Sequence, residues 1–211
     1  MKFLSYDSPL ISTLRRLMDY FTVSLLWIIA SIPVITGGAA FVAALQTIRT
    51  SIQKDEGHIF SSFWKQFRAE FKQATVLWLL QLALSALLFL NFCLIRDNEM
   101  HILFQVLGYI AITAVFLWIQ LWLGYLSNFE DSTKILLHNT FLIALSSFWR
   151  TLLAGILPIA FAIACYLSFF TISPLLFILP ACYLALHVRL MKKLFSRYLS
   201  AEEKEELLET F

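Results

Sequence analysis

Four histidines, three cysteines and a scatter of glutamines are the side chains of this 211-residue chain best able to ligate, attack or shuttle protons. Their spacing decides what they can do. His58, His101, His138 and His187 stand far apart, and none belongs to an HExxH pattern. A zinc site gathers three or four donors, so isolated interfacial histidines do not announce one. Cys93, Cys165 and Cys182 fall singly inside apolar stretches without CxxC spacing and read as small apolar fillers. Ser and His occur without a GxSxG elbow, and neither GxxxxGK nor GxGxxG is present. Hydrolytic, nucleotide and dinucleotide chemistries therefore lack a foothold. We expect no catalytic, metal or cofactor-binding residues and no enzyme.

The remaining polar groups of note are Gln46, Gln81, Gln105 and Gln120, with Asn91 and Thr113, all embedded in apolar sequence. Such residues commonly hydrogen-bond between helices of a bundle. A path for a small polar solute lined by Gln81, Gln105 and Gln120 is the alternative. Buried charges mark proton and ion pathways because they are costly to place in lipid. None stands at a mid-span position here, which argues against a proton-coupled carrier or an ion pump.

The elements that would hold these residues are set by hydropathy. The chain is 60% hydrophobic and 14% charged, and stretches 20–48, 73–95, 100–129 and 151–188 contain no Lys, Arg, Asp or Glu. About 20 apolar residues at 1.5 Å rise cross a hydrocarbon core of roughly 30 Å. The expected fold is an all-α polytopic bundle of five long apolar segments in one membrane domain, residues 1–211. Its parts are a first segment 20–48, spans 73–95, 101–127, 151–170 and 174–190, and a tail 192–211. Two amphipathic helices, 59–71 and 135–149, are expected in the headgroup region. Phe60, Phe63, Trp64, Phe67 and Phe71 are the candidate interfacial anchors of the former. The tetrapeptide SSFW occurs in both, at 61–64 and 146–149, too short a match to establish an internal repeat.

Within 20–48, Pro33 removes a backbone donor and Gly37-Gly38 permits a sharp turn. The segment is either one kinked span, giving five passes, or a hairpin, giving six. Lys and Arg number three before it, five from Arg49 to Lys72, one at Arg96, two at Lys134 and Arg150, and five from Arg189 onward. The hairpin places fifteen inside against one outside, the kinked span twelve against four, so the positive-inside rule favours the hairpin. Both readings put the carboxyl terminus in the cytoplasm. Pro33, Gly37, Gly38, Ala39, Ala40, Ala43 and Ala44 form the candidate close-packing or docking stripe, with small residues four apart. The net charge of +2 gives no reason to expect a nucleic-acid partner. Partners expected are the lipid bilayer, and another membrane protein or a second copy.

The order of the leader LRRLMDYF, the run SLLWIIASIPVITGGAAFVAAL, the link Asp55-Glu56-Gly57 and the helix FSSFWKQFRAEFKQATVLWLL resembles the YesL family of small bacterial integral membrane proteins. Ile32 replaces the family's usual Leu before Pro33, and Glu70 stands where Asn is usual. The resemblance implies a bacterial plasma-membrane protein with no established reaction. Members typically lie beside carbohydrate ABC-transporter components and carbohydrate-degrading enzymes, which implies an accessory role in sugar uptake. Without a nucleotide-binding motif, the chain cannot itself energise ABC transport.

Overall fold

A computed structural model describes residues 9–52, 58–97, 102–129, 131–171 and 175–195. Seven α-helices account for most of them, with no strand among the described residues. Helix α1, Pro9–Ala30, opens with proline at a first-turn position whose N–H has no helical acceptor. It stops where Ile32, held away from the helical region by the following Pro33, cannot continue the spiral. The Thr36 hydroxyl lies 2.6 Å from the Ala30 carbonyl oxygen and 2.8 Å from that of Pro33, tying the turn. A single 3-10 turn, Val34–Thr36, leads into α2, Gly37–Thr47, which runs on as a π-helical turn, Ile48–Ile52. That π turn still touches α1, so the second limb doubles back along the first.

Helices α3, Ile59–Asp97, α4, Ile102–Leu126, α5, Thr133–Ser146, α6, Phe148–Thr171, and α7, Leu175–Phe195, follow. Helix α2 touches α1, α3, α4 and α7. Ala39 and Val42 on one side join the cluster of Ala74, Leu77, Leu123 and Met191. Ala40, Ala43 and Ala44 on the other pack with Val23, Phe63, Leu184 and Val188. Short side chains let five helices converge, and close van der Waals packing drives association where lipid is as apolar as protein.

Several expectations change. Three helices, rather than five segments, are long and apolar enough to cross a membrane among the described residues: Ile59–Leu94, Ile102–Leu126 and Phe148–Ser168. Helix α1 carries Arg15, Arg16 and Asp19 in its first half, α2 is 11 residues long, and α7 ends in Arg189, Lys192 and Lys193. The headgroup helix 59–71 and the span 73–95 are one uninterrupted helix, since no Gly or Pro lies between Ile59 and Asp97 to break it. At about 58 Å, α3 exceeds the hydrocarbon thickness and cannot turn to lie in the interface plane. Helix α5 does break from α6, at Ser147 (φ −125°, ψ 44°). The two SSFW copies thus occupy different settings, one inside α3 and one across this break. Pro158 and Pro180 lie inside α6 and α7. The expected break between spans 151–170 and 174–190 falls at 172–174, which, like most of the tail 192–211, lies outside the described residues.

Candidate functional site

The small residues expected to form the turn have another task. Gly37 adopts φ −55°, ψ −39°, an ordinary helical conformation, so the chain reverses without a left-handed glycine. What requires glycine at position 38 is α3: a Cβ there would stand 2.3 Å from Trp78 Cβ and 3.0 Å from the Ala74 carbonyl oxygen. The Trp78 indole N–H in turn donates to the Val34 carbonyl oxygen at 2.8 Å, fastening the hairpin tip to α3. Ala39, Ala40, Ala43 and Ala44 are fully covered by the chain's own helices. Pro33 remains exposed, and Ile32, Val34 and Ile35 around it are exposed apolar side chains.

The candidate anchors divide in the same way. Phe63 is fully buried against α2, Trp64 and Phe67 are half-buried, and Phe60 and Phe71 are exposed. Rings of Phe63, Trp64, Phe67 and Phe71 run in contact along α3, with centroids 5.4–6.2 Å apart. Beside them Phe60, Ser61, Trp64, Lys65, Arg68 and Ala69 line an open surface groove.

A polar knot closes the bundle at the end where α2 and α4 terminate. Arg49, on the π turn, donates from Nη1 to Asn128 Oδ1 at 2.9 Å, and Asn128 Nδ2 donates to the Gly124 carbonyl oxygen at 2.7 Å. Tyr125 Oη donates to Asp131 Oδ2 at 2.6 Å and accepts from Asn139 Nδ2 at 2.8 Å. Gln73 Nε2 donates to the Asp131 carbonyl oxygen at 2.8 Å. Burial, and then the nearby Arg49 guanidinium, hold the Lys192 ammonium below the usual lysine range. This knot joins α3, α4, α5 and the π turn by named bonds.

At the opposite end of α2, beside the hairpin tip, lies a cavity of about 460 Å3. Trp27 of α1, Ser31 just past its end, Gly37 and Phe41 of α2, Trp78, Gln81 and Ser85 of α3, Gln120 of α4, Phe161 of α6, and Tyr183 and His187 of α7 line it. No lining residue is Asp, Glu, Lys or Arg. Tyr183 stacks on Phe161 (4.4 Å, 25°) and on Trp27 (5.8 Å, 18°), which lie 6.1 Å from each other, and the three rings make an aromatic wall. Gln81 Nε2 lies 3.3 Å from Gln120 Oε1, a long hydrogen bond that brings two of the expected glutamines together. Gln105 does not join them, since fifteen residues of α4 place it about 22 Å along the helix from Gln120. Pairing of positions 81 and 120 was legible only as a shared polar character, whereas Tyr183, Phe161 and Trp27 gave no signal, being ordinary aromatics in apolar runs. His187, expected as interfacial, is buried here with its ring edge against Phe41 at 5.0 Å.

Fold and site define a helical protein with several helices able to cross a membrane, a central small-residue helix and an uncharged aromatic cavity. Residues 20–92 match the model of a family described as a protein of unknown function, DUF624. The matched stretch holds α2, the second half of α1, most of α3, and the Gly38–Trp78 contact. It is consistent with the YesL resemblance. No curated protein and no solved structure matches the chain.

Proposed function

We propose that the chain is a non-enzymatic accessory component of a bacterial plasma membrane, associating with a carbohydrate-transporter permease. The observation that carries the reading is the groove on the first turns of α3, where exposed Phe60 and half-buried Trp64 sit beside Lys65 and Arg68. Apolar rings flanked by cations suit a partner with an apolar ridge and acidic rim. The match over residues 20–92 and the absence of catalytic motifs from the sequence are compatible with it. The small-residue stripe is spent on internal packing, so docking belongs to the groove. A facilitator for a small polar solute is the second reading, favoured by the cavity that Gln81 and Gln120 share. Detergent copurification of the native protein with a permease, lost in a Phe60→Asp/Trp64→Asp variant that retains its melting temperature, is expected. Rapid solute flux through liposomes containing the purified protein alone would sink the accessory reading in favour of the facilitator.

A further inference from the structure

The cavity carries more unmet hydrogen-bonding capacity than a packing void would. Three of its polar atoms have no partner: Ser31 Oγ, Gln81 Oε1 and His187 Nδ1. Gln81 is 7% exposed and His187 4%, so neither side chain turns to bulk water. A buried polar group without a partner is destabilising, because it has given up its hydrogen bonds to water and gained none. Native interiors keep few of them, and each calls for an explanation. Here three belong to side chains that line one cavity, although the atoms themselves carry almost no accessible surface.

The chemistry of that occupant follows from the lining. Gln81 already uses an amide N–H toward Gln120, leaving its oxygen as a pure acceptor. The occupant must therefore bring a hydrogen-bond donor. It brings no net charge, since no lining residue could balance one. One of its faces is apolar and flat enough to lie on the Trp27–Tyr183–Phe161 wall. About 460 Å3 falls within the roughly 300–1,000 Å3 of small-molecule sites.

We propose that this cavity is a binding site for a neutral, hydroxyl-bearing small molecule, toward which the lining side chains rotate so that Gln81 Oε1 accepts its hydroxyl protons and Ser31 Oγ and His187 Nδ1 pair with its further oxygens. The same chemistry is offered by a free sugar or polyol and by the glycerol end of a neutral lipid. Exposed Ile32, Val34 and Ile35 beside the mouth favour entry from the lipid side. The site stands independently of the accessory role, because it involves neither the groove nor a partner protein.

The full chain in phosphatidylcholine nanodiscs, assayed by scintillation proximity with tritiated monooleoylglycerol and, separately, tritiated D-glucose, tests the assignment. Saturable binding of at least one probe is expected, weakened tenfold or more by Gln81→Leu and by His187→Phe. Ser85→Leu, which pushes a side chain into the empty space without removing a bond shown in the structure, should abolish it. Binding of monooleoylglycerol alone assigns the lipid source, and binding of glucose alone the free-polyol source. Absence of saturable binding of either probe to the unmodified chain overturns the proposal. So does binding that Ser85→Leu and Gln81→Leu leave intact while the variants stay monodisperse and keep their melting temperature.

Discussion

The bundle has two halves that obey different rules. In the half threaded by α2, α3 buries Ile59, Phe63, Ala74, Leu77 and Gln81, and α4 buries most residues from Leu117 to Leu126. Beyond the hairpin tip, α3 buries none of residues 82–94 and α4 none of residues 102–116. Leu87, Phe89, Leu90, Leu94, Leu103, Phe104, Leu107 and Ile110 stand exposed there. Hydropathy does not draw this line, since the uncharged run 73–95 crosses it in α3 and the run 100–129 crosses it in α4. The difference is the inner helix: at 11 residues α2 reaches about 16 Å, and past its end the outer helices have nothing central to pack on. Small residues let the helices meet in the α2 half, while large apolar residues of the far half stand on exposed surface.

That comparison can be broken most decisively by topology. In the proposed orientation the α2 half is cytoplasmic, with both flanks of the hairpin inside. Single cysteines at Ser5→Cys and Ser61→Cys, in a background lacking Cys93, Cys165 and Cys182, should both resist a membrane-impermeant thiol reagent in intact cells. Labelling of Ser5→Cys alone would turn the hairpin into a kinked span and separate its limbs. Next in size is Gly38→Leu, which drives a side chain into the Trp78 and Ala74 backbone region of α3. It should destabilise by about 3 kcal/mol or more, read as a lowered melting temperature in detergent. Gly155→Ala is the internal contrast, because its Cβ would meet only the Leu117 Cδ2 methyl at 2.2 Å, which a rotamer change can withdraw. A loss below about 1 kcal/mol is expected there.

Smaller again is Asn128→Ala, which deletes the acceptor for Arg49 and the donor to Gly124. Charge-assisted hydrogen bonds of this kind are worth about 1.5–3 kcal/mol, so a drop in melting temperature and easier proteolysis of the 129–132 connection should follow. In the far half Leu90→Ala should change stability by less than about 0.5 kcal/mol. A large loss at Leu90 would mean that the outer half has a packed interior, and the contrast between the halves would fail.

What the sequence disclosed follows the same division. The limits of α4 were readable to within a few residues, because charges bracket an uninterrupted apolar run. The reversal near Pro33 was legible from a missing N–H and a residue pair poor in side chains. Three things escaped it. The join of 59–71 to 73–95 is a matter of backbone continuity that a change from amphipathic to apolar composition conceals. The purpose of Gly38 depends on Trp78, forty residues away, and no local rule couples them. The cavity arises where six helices fail to close, so its lining is scattered from Trp27 to His187 and leaves no motif.

The pairing of α1 with α7 bears on how the protein is made. Val23 of α1 packs in one cluster with Leu184 and Val188 of α7, the last described helix to leave the ribosome. During synthesis the face of α1 that α7 covers waits while more than 130 further residues are threaded. A chain halted after α6 would present that face to the quality-control proteases of the membrane, so messages truncated late should yield no stable fragment. The last helix acts as the clasp that ends the vulnerable interval.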